Sequence, residues 1–171
     1  MNNKLNLIAS VGLALGGLLG MAGSMVSGPE LRQLFWTIDG VGLVVAGVLL
    51  SIKYFRTKQD YVAAGFLVFA LAECIIMSSN GPDLMATLPA FAAGIVLWAT
   101  ALLMTSIPNV FSWWIRLLGT IAAILFIITA VRIMWGEPLV ATQSPLPGFA
   151  YPVFVLTIAG WIWTLLSEKT P

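Results

Sequence analysis

The sequence predicts an all-α, polytopic integral membrane protein: a compact bundle of six transmembrane helices joined by short loops, with both termini cytoplasmic. Three observations carry this. Of 171 residues, 60% are hydrophobic and only 9% are charged, against roughly 25% charged in an average soluble domain. So few charges cannot cover so much apolar surface in water. Six runs also reach the length of about 20 apolar residues that a helix needs to cross a hydrocarbon core about 30 Å thick. The runs are continuous, without the alternation of barrel strands.

The spans fall at 5–26, 34–52, 61–79, 84–105, 113–135 and 149–166, within a single domain covering 1–171. The first, "MNNKLNLIASVGLALGGLLGMAGS", opens with a positive charge and ends in small residues, which also fits a cleaved signal peptide. Its apolar stretch exceeds a signal core, however, and Gly12, Gly16 and Gly20 recur at a spacing suited to close helix packing. It is read as a retained span. "VSGPEL" then places a proline near the start of the second span, where its missing N–H matters little. "RTKQD" is the polar loop after the second span, and "SSNGPD" is a Gly/Pro/Asn turn after the third. "TSIPNV" separates the fourth span from the fifth. The last connection, "GEPLVATQSPLPG", is the long one, and Pro138, Pro145 and Pro147 argue against a regular helix in it.

Direction follows from the basic residues. With a cytoplasmic N-terminus, Lys4, Lys53, Arg56, Lys58, Arg116 and Lys169 fall on or near the cytoplasmic side, and Arg32 and Arg132 fall outside. This is the positive-inside bias, and the expected location is a cell (plasma or inner) membrane. Aromatic residues near span ends, among them Trp36, Trp135 and Tyr151 outside and Tyr54 and Trp161 inside, are read as interface anchors.

The absences narrow the function. With no histidine there is no bis-histidine haem and no His-based metal site. A single cysteine, Cys74, can form neither a disulfide within the chain nor a thiolate cluster, and it is read as a small buried packing residue. A net charge of +1 supplies no basic stripe for nucleic acid. There is no Gly-rich phosphate loop, no histidine base for a serine, and no loop long enough for a catalytic domain. Neither enzymatic activity, nor a cofactor, nor a metal is expected. The expected surroundings are the lipid bilayer and the chain's own helices, which meet through small-residue faces such as Gly12–Gly16–Gly20 and Ala86–Ala90–Gly94. A membrane protein partner or a homo-oligomer is the other use of such faces.

One residue conflicts with this apolar pattern. In "AGFLVFALAECIIMSSNG", Glu73 lies within the third span, on a helical stripe with Ala63, Phe66, Ala70 and Met77. An acidic residue at a helix centre costs about 2.5 to 3.5 kcal/mol on insertion, and each Leu, Ile, Phe or Val returns about 0.3 to 0.6. Seven such residues in this span return roughly 2 to 4 kcal/mol. The terms nearly cancel, so the span needs either a protonated Glu73 or a partner on another helix. Asp39, near the outer end of the second span, and Arg132, near the outer end of the fifth, share the outer half of the membrane with it. The expected arrangement is a polar cluster of Glu73, Arg132 and Asp39 in which the arginine neutralises one or both acids. On these grounds the chain is expected to be structural or accessory. The alternative is a small proton- or cation-coupled carrier or channel using Glu73, which requires a water-accessible cavity leading to that residue.

Overall fold

The computed structural model describes residues 2–80, 83, 85–140 and 145–168. In chain order they form six helices: α1 Asn2–Met25, α2 Pro29–Arg56, α3 Asp60–Ser79, α4 Leu88–Ser106, α5 Trp113–Met134 and α6 Pro145–Ser167. Each is long and apolar enough to cross a membrane, so the chain is a multi-pass membrane protein.

Packing makes these helices a closed ring. Each helix touches its neighbours in sequence, and α6 returns to pack on α1. The helices run alternately up and down, as contacts between neighbours show: Gly12 with Gly42, Gly40 with Met77, Gly65 with Thr105, Gly119 with Ser106 and Gly160 with Ile115. We call the end carrying both termini proximal and the opposite end distal.

A ring of six poses a filling problem. Neighbouring helix axes lie about 8–10 Å apart, so the ring's own axis lies a similar distance from every helix. The resulting hole is about as wide as one helix. Aromatic side chains fill its proximal half. Phe66 of α3 meets Trp161 of α6 with centroids 5.0 Å apart, and Tyr54 of α2 stacks on Phe66 at 5.5 Å. Phe69 packs on Phe154 at 5.8 Å, and Trp98 of α4 packs on Phe154 at 4.9 Å. In lipid, where leucine outside a helix is as well solvated as leucine inside, such close packing is what holds helices together.

Glycines bring the helix backbones close. A Cβ on Gly12 would stand 2.5 Å from the Gly42 carbonyl oxygen, so α1 and α2 touch main chain to main chain. Gly94 takes α4 equally close to Ile76 of α3. The small-residue faces of α1 and α4 are thus occupied within the bundle at these points. Ala86 lies outside α4, exposed in the preceding turn, and Ala90 is half-buried.

Several expectations need correction. Cys74 is exposed on the outer face of α3, not buried, because it lies on the helical stripe of the exposed Leu67 and Leu71. Trp36, Tyr54 and Trp161 are buried core residues at 8%, 4% and 2% exposure: Tyr54 and Trp161 pack into the aromatic filling of the ring, and Trp36 is bonded to α1. Trp135, just past the end of α5, is 82% exposed. Helix α6 begins at Pro145, inside the stretch expected to be irregular. The first N–H groups of a helix have no intrahelical acceptor, so Pro145 and Pro147 in its first turn break nothing.

A candidate ligand cavity in the distal half

The distal half of the ring is not filled. A cavity of about 400 Å³ remains, reaching from Glu73, Trp98 and Phe126 up to Met25, Asn80, Thr87 and Val140 at the distal ends of the helices. With a rise of 1.5 Å per residue, Glu73 lies about 9 Å below the distal end of α3. Met25 at the rim is 81% exposed, and Leu139 and Val140 from the α5–α6 connection fold inward at 7% and 3%. The rest of that connection, residues 141–144, lies outside the described residues.

Two carboxyl groups line the cavity. Glu73 is 1% exposed and Asp39 6%. They are within electrostatic reach of each other, and a Cβ on Gly40, next to Asp39, would stand 3.3 Å from Glu73 Oε1. Glu73 Oε2 and Asp39 Oδ1 are both buried without a hydrogen-bond partner. The Trp98 indole is turned towards Glu73, but its Nε1 completes no hydrogen bond either. Native proteins leave few buried polar atoms unpaired, and here three share one cavity.

The expected arginine is elsewhere. Arg132 is exposed and bonded to Glu137, and it does not line the cavity. The local backbone explains why. Helix α5 ends in a Schellman turn, with Gly136 at φ 92°, its N–H on Ile133 O at 2.9 Å, and the Glu137 N–H on Arg132 O at 3.1 Å. That turn folds Glu137 back over Arg132, and the two side chains pair across the cap. The hydrogen bond from Arg132 holds the Glu137 carboxyl below the usual glutamate range. The sequence carried the signal in "RIMWGE", a glycine at the first position past the helix followed by an acid. Among the described residues, no lysine or arginine lines the cavity, and no group of three or more metal-ligating side chains is present.

Four further cavity residues were not flagged by the sequence as site residues. Trp36 donates from Nε1 to the Gly20 carbonyl at 3.3 Å. Tyr151 donates its hydroxyl to the Gly16 carbonyl at 3.4 Å. These two bonds fix aromatic walls against α1, and they need glycine there. A Cβ on Gly20 would fall 1.8 Å from the Tyr151 hydroxyl and 2.7 Å from Asp39 Oδ2. Gly20 therefore marks a close approach at the cavity wall, where the spacing alone suggests a helix seam. Trp98 is the third wall. The fourth residue is Pro152, inside α6. It lacks the N–H that would bond the Gly148 carbonyl, and both residues line the cavity. A proline within a span was the available signal.

Among the described residues, the cavity does not continue through the molecule. Below Trp98 the axis is closed by Phe69, Phe154, Trp161 and Phe66. At the proximal end Lys53 Nζ meets Glu168 Oε2 at 2.6 Å, and Asn6 donates to the same carboxylate at 3.1 Å and to the Leu165 carbonyl at 3.0 Å. Among the described residues, the result is a vestibule open at its distal end. Comparison with protein-family models, curated proteins and solved structures finds no match for this chain, so the reading of this cavity rests on its own geometry and chemistry.

Proposed function

We propose that the chain is a small proton- or cation-coupled membrane carrier whose binding site is the distal cavity, with Glu73 as its central group and Asp39 as its companion. The observation that carries this reading is a 1% exposed carboxyl with an unpaired oxygen on the wall of a 400 Å³ cavity. An acid in a membrane span costs free energy and is retained where it pairs or lines a pathway. An accessory bundle with a neutralising Arg132 accounts for Glu73 less well, because Arg132 is bound to Glu137.

In this reading the carboxyl pair takes a positive charge, either a proton or a cation, from the distal side. The aromatic plug and the Lys53–Glu168–Asn6 lock close the proximal side. Release to that side then requires the plug and the lock to part while the distal rim closes. The excess of basic residues near the proximal end supports a topology in which that end and both termini face the cytoplasm and the cavity opens on the other side.

The test is flux. Purified protein reconstituted in liposomes should move protons or a monovalent cation down an imposed gradient, and Glu73→Gln should abolish this. The same variant should keep or raise thermal stability in detergent, because it removes a buried carboxyl without breaking a pair. Loss of stability with no flux in the parent returns Glu73 to a structural role.

A further inference from the structure

We infer that the ligand of this cavity is a monovalent organic cation, an ammonium or quaternary ammonium group on an apolar body, taken up in exchange for a proton. This rests on the carrier reading above and adds the chemistry of the cargo.

The walls select the class. An inorganic divalent cation needs about six oxygen ligands gathered at one point; the Tyr151 hydroxyl stands beside the carboxyl pair, while the other side-chain oxygens of the lining, on Ser24, Ser79, Asn80 and Thr87, belong to residues nearer the distal ends of the helices. A small hard monovalent ion has the same need for oxygens or retained water. What the cavity has in abundance is aromatic surface: Trp36, Phe91, Trp98, Phe126 and Tyr151 all line it. Aromatic faces attract soft, weakly hydrated cations through their quadrupoles, and tryptophan does so best. The thioethers of Met21 and Met25 near the rim suit the apolar remainder of such a molecule. A volume of about 400 Å³ falls within the range of small-molecule sites.

The charges also balance. The groups facing the carboxyl pair are the Tyr151 hydroxyl from α6 and the Trp98 indole from α4, both neutral. Arg32 of α2 is the nearby base, and it lies 5.7 Å over the Trp36 ring, not on the acids. With no internal cation, the empty cavity is neutral when both acids carry protons. An arriving cation replaces one proton: one carboxyl O–H bond breaks, the proton leaves to the distal water, and the carboxylate faces the cation. The second acid keeps its proton and can donate to the first. One positive charge enters for each that leaves.

Phenyltrimethylammonium and its neutral isostere tert-butylbenzene provide the test. Titration calorimetry on the purified full-length protein in detergent should show the cation binding at least tenfold more tightly than the isostere. Repeating it in buffers of different ionisation enthalpy should show proton release, and affinity should rise with pH. Glu73→Gln should lower cation affinity at least tenfold and Trp98→Leu several-fold. Should Glu73→Gln fail to fold, Asp39→Asn is the second variant, with the same loss expected. Equal affinity for cation and isostere overturns the inference and marks an apolar site with permanently protonated acids. Binding that persists in both acid variants overturns it too. If proteoliposomes carry a Glu73-dependent proton or sodium flux yet phenyltrimethylammonium neither binds nor inhibits, the cargo class is wrong and the carrier reading stands. If flux is also absent, both fail.

Discussion

Gly20 shows how much a single position decides in this molecule. Its missing side chain leaves room for the Tyr151 hydroxyl and Asp39 Oδ2 at the same point, and its carbonyl receives the Trp36 indole. Gly20→Ala forces those groups apart, and overpacking of this kind costs about 1–3 kcal/mol. We expect a lower melting temperature in detergent together with weaker ligand binding. Gly17→Ala, whose Cβ meets nothing closer than 3.5 Å, should be close to neutral. Glu73 itself was visible in the sequence because its insertion cost stands out in any apolar run. Its companions were not equally visible: Trp98 is one aromatic among many until the ring turns it towards the acid.

At the scale of the element, helix ends account for much of what the sequence concealed. Two helices close with Schellman turns, α2 through Lys58 at φ 58° and α5 through Gly136 at φ 92°. A residue with a side chain costs about 1–2 kcal/mol in the left-handed region, so Gly136→Ala should destabilise by about that much. Lys58→Gly should do the reverse, with the gain cut to at most about 1 kcal/mol by the freedom that glycine loses on folding; thermal unfolding reads both. The α5 turn also captures Arg132. Because the Arg132 hydrogen bond lowers the Glu137 pKa, the pair contributes above the ordinary glutamate value of about 4.3. That contribution fades as pH falls through the lower folded value. Carboxyl titration by NMR should place Glu137 below about 4.3 in the parent and near it in Arg132→Gln. Arg116 has a comparable local role, donating to the Ser106 and Ile107 carbonyls at the end of α4 at 2.6 and 2.9 Å.

For the whole molecule, the asymmetry between the two ends matters most. Among the described residues, the proximal end is locked and the distal end open. In the lock, the Lys53 side chain is 10% exposed and that of Glu168 42%. Removing the acid strands a buried ammonium, whereas removing the lysine leaves a carboxylate that water can reach. Glu168→Gln should therefore destabilise by about 1–2 kcal/mol, less than for a fully buried pair, and by more than Lys53→Met. The direction of the bundle is checked by thiol labelling after Cys74→Ser, since that native thiol is exposed. Cysteines at Lys58 and Ser27 should label from opposite sides, Lys58 from the cytoplasm.

Six helices, their order and the need to shelter Glu73 were legible in the chain, because hydrocarbon allows a polar backbone few solutions and makes a lone carboxyl expensive. The closed ring, the aromatic plug, the unfilled distal half and the placing of Asp39, not Arg132, near Glu73 were decided by tertiary structure. Those outcomes depend on which face each helix presents to its neighbours and how each helix ends. In lipid, where inside and outside are equally apolar, hydrophobic patterning carries little record of either.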